Sequence, residues 1–138
     1  MRWSNGIPLF SAALLTIATF DAFATDLTAQ LSGAQEVPPV QTSASGTASF
    51  AVKDDMSISG GVKTEGIKGT MAHIHQGAAG TNGAVAIPLE QKGDSQWVVP
   101  NGAKLTPEQM TALKQGNLYV NVHSDAHKGG EIRAQLTE

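Results

Sequence analysis

Along most of this chain, apolar and polar residues alternate in short runs between turn residues, the period-two pattern of strands buried on one face. Leu27, Ala29 and Leu31 alternate with polar neighbours. Residues 44–52 (ASGTASFAV) and 56–62 (MSISGGV) read as a hairpin around Asp54-Asp55, with Gly60-Gly61 suggesting a bulge or a break. Further strands are expected at 69–75, 84–89, 95–100, 117–124 and 130–136. Pro38-Pro39 forbids a central strand in the stretch GAQEVPPV. One segment, TPEQMTALKQG (106–116), carries helix signals instead. Thr106 is an N-cap, Pro107 sits at the first helical position, Gln109 completes a capping box and Gly116 is the stop. The elements predict an all-β fold: an immunoglobulin-like or Greek-key β-sandwich of about seven to eight strands, with one short helix near 106–115.

Residues 1–24 do not follow this pattern. Arg2 gives a weakly positive start, residues 7–20 are mostly apolar, and Ala22-Phe23-Ala24 is a small-x-small cleavage signal. The run is signal-length rather than anchor-length, so it reads as a secretory signal peptide removed before Thr25, despite the acidic Asp21. Residues 25–138 are then a single domain. Nothing in that mature stretch is long and apolar enough to span a membrane as a helix. The expected location is periplasmic or secreted.

Charge and cysteine content narrow the chemistry. The chain has 9 basic and 12 acidic residues, a net charge of −3. The basic residues form no cluster, which argues against nucleic acid. There is no cysteine, so the fold has no disulfide and the site no thiolate. Zinc–cysteine, blue-copper and cysteine-nucleophile chemistry are excluded.

Four histidines remain to be explained: His73, His75, His123 and His127. In MAHIH, Ala72 and Ile74 face one way and Met71, His73 and His75 the other. In LYVNVH, Leu118, Val120 and Val122 face one way and Tyr119, Asn121 and His123 the other. The apolar sets belong to the core, so the histidines sit on the outward faces. If the two strands are neighbours, three imidazoles converge, and the loop of HSDAHKGGE can fold His127 over them. Converging neutral nitrogens are what a metal site needs, and all-histidine sites suit copper above zinc. Met71 shares the His73 face and offers a soft donor, although such a methionine more often covers a strand face. Glu36 and Glu131 could orient imidazoles, or serve as ordinary loop acids or ion-pair partners of Arg133. The competing reading makes the histidines anchors for the loop shaped by Gly77, Gly80 and Gly83. Ser43, Ser124 and Asp125 make no credible nucleophile arrangement with any histidine.

The stretches LSGAQEVPPV (31–40), AHIHQGAAGTNGAV (72–85) and LYVNVHSDAHKGGEIRAQL (118–136) together resemble the CHRD domain family, named for its occurrence in chordin. The resemblance covers nearly all of residues 27–136, with Ala134 departing from a usual glycine after GEIR. It implies an immunoglobulin-like fold and an exported location, and its pattern includes His73, His75 and His123. A looser likeness is to copper-zinc superoxide dismutase, which also carries a His-x-His pair outside a Greek-key structure. This chain has no disulfide cysteines and no separate zinc loop. An anion-guiding arginine would have to be Arg133, the only one after residue 24.

Three functions therefore stand open. One is an exported protein that binds a transition metal, copper favoured, for metal handling or stress protection in the cell envelope. Another is a non-catalytic module for an unknown protein partner. The third is a copper-only dismutase-like enzyme.

Overall fold

A computed structural model describes Leu15, Ile17 and residues 24–138. The expected signal peptide therefore lies almost wholly outside the described residues. The strands are β1 (Ala24–Ser32), β2 (Ser45–Lys53), β3 (Ile58–Glu65), β4 (Gly69–Gln76), β5 (Ala84–Pro88), β6 (Glu90–Gln91), β7 (Gln96–Val98), β8 (Leu118–Ser124) and β9 (Ile132–Leu136). A single 3-10 turn, Gly33–Gln35, follows β1, and the helix α1 spans Pro107–Lys114.

All nine strands belong to one antiparallel sheet of order β5-β4-β8-β9-β1-β2-β3-β7-β6. Its two ends meet. Strands β5 and β6 are successive parts of one segment broken at Leu89; β5 pairs with β4 and β6 with β7. The Leu89 N–H donates to the Ala72 carbonyl at 2.9 Å. The sheet is thus rolled into a nearly closed barrel, and the expected sandwich is its flattened description.

The alternation seen along the chain has its cause in this closure. One face of every strand but the two-residue β6 points inward, and Leu27, Leu31, Phe50, Val62, Ile74, Val120, Val122, Ile132 and Leu136 fill the interior at 2% exposure or less. Each such apolar side chain contributes about 1.5–3 kcal/mol on burial. Helix α1 adds Ala112 and Leu113. Its start is the expected one: Thr106 accepts from the Gln109 N–H at 3.1 Å, and the Gln109 side chain accepts from the Thr106 N–H at 2.9 Å.

One local expectation changes. Strand β3 runs unbroken through Gly60-Gly61, in register with Phe50 and Ser49 of β2. Glycine is needed there because neighbouring backbone lies against the strand: a Cβ on Gly61 would sit 2.0 Å from the Trp97 carbonyl oxygen. The irregularities instead fall in β4, between Gly69 and Met71 and between Ile74 and His75. One precedes the His-x-His pair and the other falls within it, between Ile74 and His75.

Candidate metal centre

Strands β4 and β8 are neighbours, with Met71 opposite His123, His73 opposite Asn121 and His75 opposite Tyr119. Most side chains on the outward face are not at the surface, although His73 is half-buried and Met71 exposed. Every residue of β8 is buried, with Tyr119 and Asn121 at 1% exposure, His123 at 7% and His75 on β4 at 8%. The expected outward patch is therefore a second, polar interior. The loops at 33–43, 77–83 and 125–131 cover it.

Those loops are held by a buried network. Arg133 of β9 donates Nε–H to Glu36 Oε2 at 3.2 Å and pairs with it through Nη2 at 3.1 Å. The same guanidinium donates to the Thr81 carbonyl at 2.8 Å and to Asn82 Oδ1 at 2.6 Å, and lies 4.1 Å over the Tyr119 ring. Asn82 in turn donates to the Val37 carbonyl at 3.0 Å, joining two loops. Glu131 accepts from Thr42 and Ser124 at 2.8 and 2.7 Å. Neither acid touches an imidazole. The ion-pair reading holds for Glu36, and Arg133 is buried rather than free to guide an anion.

Within this layer His73, His75 and His123 stand together, one ligand nitrogen of each lying within 4.8 Å of the others. His127 is not brought into this group. It lies on the loop after β8, where its N–H and carbonyl bond to Ser124 and its residue lines a hollow with Pro38 and Val40.

Backbone carbonyls orient two of the rings. A carbonyl only accepts, so the nitrogens facing one carry hydrogen. His123 Nδ1–H donates to the Lys128 carbonyl at 2.9 Å, which turns Nε2 toward His73 Nδ1, 3.0 Å away. His75 Nδ1–H donates to the Gly83 carbonyl at 3.0 Å. Its ring also stacks on Tyr119, centroids 4.7 Å apart and planes 4° from parallel. This is how metal-bound histidines are held: the outer nitrogen bonded, the inner one aimed. With its Nδ1–H on Gly83, the neutral His75 ring has no hydrogen left for Asn121 Oδ1, an acceptor that lies 2.9 Å from Nε2 and blocks it. A metal would have to displace that amide.

The His73–His123 gap suits an ion. Two nitrogens about 2.0–2.1 Å from one metal and at right angles lie about 2.9 Å apart. Nitrogens on opposite sides of an ion lie about 4.1 Å apart, so the 4.8 Å spread of the group closes with a small ring rotation. Without a metal, a shared proton occupies the same gap.

Burial lowers the pKa of His73, and the neighbouring His123 and His75 push it further down. Burial also lowers that of His75; its bonds to Gly83 and Asn121 oppose the shift, while His123 and Arg133 add to it. Both rings therefore stay neutral, as ligands must, below the usual 6.5. The same shifts set a pH dependence. As pH falls through 6.5 the unfolded chain takes up protons before the folded one, so each ring withdraws stability on acidification. Glu36 works the other way, since burial raises its pKa above 4.5 despite Arg133. The expected result is that the metal-free protein melts at progressively lower temperature as pH drops below 6.5, and that His73→Gln flattens this slope. Equal slopes in the two proteins would refute the assignment.

The residues missed by sequence reasoning are Asn121, which lies against His75 Nε2, and Tyr119, which stacks on the His75 ring. One signal could have found them. The outward positions of β8 are Tyr, Asn and His, all uncharged and all able to be satisfied under cover, whereas solvated strand faces favour Lys and Glu.

The CHRD domain family model matches residues 27–136, and this chain belongs to that family. The three stretches 31–40, 72–85 and 118–136 supply much of the polar layer just described. No curated protein and no solved structure matches the chain. CHRD domains are found in extracellular and secreted proteins. Among the described residues no helix is long and apolar enough to cross a membrane.

Proposed function

We propose that this is an exported CHRD protein that binds one transition-metal ion, copper favoured over zinc, through His73, His75 and His123. Its role would be metal handling or stress protection in the cell envelope. The observation that carries this reading is the grouping of three ligand nitrogens within 4.8 Å, two of them on rings already fixed by carbonyls. Copper is favoured because the donors are all imidazole and the His73–His123 separation matches a right-angled edge of a tetragonal copper(II) site.

The test is copper(II) titration of untagged protein, followed by electron paramagnetic resonance. One equivalent should bind with nitrogen hyperfine structure. Copper at about a hundred times its dissociation constant should add about 2.7 kcal/mol to the unfolding free energy. The double variant His73→Ala, His123→Ala should lose both effects and keep the β-type circular dichroism. Undiminished affinity in that variant would sink the proposal.

A second reading has its own support. His75 Nδ1, both nitrogens of His123 and Nδ1 of His73 already have hydrogen-bond partners, and His75 Nε2 lies against Asn121. Histidines so engaged are structural anchors of a module whose partner is another protein. On that reading a chelator leaves the melting temperature of the purified protein unchanged.

A further inference from the structure

Met71 is out of place for a methionine. It is 51% exposed, and within residues 24–138 only Val85 matches it among large apolar side chains. It has little packing role. Its position on the sheet is nonetheless specific. The irregularity between Gly69 and Met71 brings Met71 into register directly opposite His123. Directly opposed residues have Cβ atoms about 4.5–5.5 Å apart. Met71 is also two residues from His73 on the same face of β4, a spacing of about 6.5–7 Å. A thioether on a side chain with three rotatable bonds is long enough, from that register, to turn toward both rings.

The three histidines are not equivalent in this setting. His73 Nδ1 and His123 Nε2 face each other at 3.0 Å, while His75 Nε2 is blocked by Asn121 Oδ1 at 2.9 Å. The donors that can meet without breaking that amide contact are His73, His123 and the sulfur of Met71. Two imidazoles and one thioether form a soft, three-donor set, and soft thioether ligands select copper(I). Copper(II) favours the harder nitrogen of His75.

We infer that Met71 is a sulfur ligand of this site and that Met71, His73 and His123 form its copper(I) set. The inference rests on the metal-binding reading above and adds to it the oxidation state and a fourth donor. Met71 lies at the exposed rim, so copper(I) is held where it can be handed on.

The test is competition for copper(I) against a chromogenic bicinchoninate complex, without oxygen, in the wild-type protein and in Met71→Leu. Leucine keeps the volume of an exposed side chain, so the fold is retained. An outer partner of a metal site is worth about ten- to a hundredfold in affinity, so losing a ligand should weaken copper(I) binding by at least about tenfold. Copper(II) affinity and its electron paramagnetic resonance spectrum should not change. A sulfur neighbour should appear in the X-ray absorption spectrum of the copper(I) wild type and vanish in the variant. Equal copper(I) affinity in both proteins would overturn the role of Met71 and leave the histidine site standing. Failure of the wild type to bind copper in either state would overturn the metal reading itself, and this inference with it.

Discussion

Replacing Arg133 by methionine should destabilise the protein by about 3–5 kcal/mol, the cost of leaving one partner of a buried ion pair unmatched. Arg133 and Glu36 have side chains only 4% and 2% exposed. Removing the guanidinium strands the Glu36 carboxylate, whose Oε1 already lacks a hydrogen-bond partner. It also releases the Thr81 carbonyl and the Asn82 side chain, the contacts that hold the loop over His75. Domains of this kind have about 5–15 kcal/mol in total, so the variant would approach the limit of folding. The double change Glu36→Met, Arg133→Met should recover much of the loss, because it removes both charges together. Urea denaturation of the three proteins checks this. A single variant as stable as the wild type would mean that the pair does not hold the loops.

Gly83→Ala should be as damaging, and through the site itself. A Cβ there would lie 1.7 Å from the Gln76 carbonyl oxygen and 2.7 Å from its carbon, both rigid backbone at the end of β4. The loop would have to move. Gly83 makes two bonds into the polar layer: its carbonyl accepts from His75 Nδ1 and its N–H donates to the Tyr119 hydroxyl at 2.9 Å. Forced overpacking costs about 1–3 kcal/mol. Each lost hydrogen bond adds about 0.5–1.5 kcal/mol. A loss of about 2–6 kcal/mol is expected, together with weaker copper(II) binding as His75 loses its orientation. Denaturant unfolding and copper titration check the two effects. A stable variant with unchanged copper affinity would show that the Gly83 carbonyl does not aim His75.

Much of this was legible in the sequence, for a physical reason. Hairpins and helix caps are set by neighbours in the chain, so Asp54-Asp55 and the Thr106–Gln109 box announce themselves. Strand alternation likewise separates Ile74 and Val120 from His73 and His123. What alternation does not carry is how far a face lies from water. The outward face of β8 is buried because segments distant in sequence fold over it, as the Glu36–Arg133 bond does across 97 positions. For the same reason His127, only four residues after His123, lies apart: a loop has no period from which a direction can be read. The division of one closing segment into β5 and β6 was equally hidden, since it depends on which strands lie on each side.

That closing segment has a consequence for how the protein behaves in company. An open sheet ends in two rows of unpaired N–H and C=O groups, each a template for a second chain. Here the two terminal strands are consecutive parts of residues 84–91, and Leu89 spans the junction by bonding Ala72. The roll therefore leaves little free border for edge-to-edge aggregation or strand exchange. A cysteine-free fold gains by backbone closure alone the protection from self-association that other β-proteins seek with charged or proline-bearing edge strands.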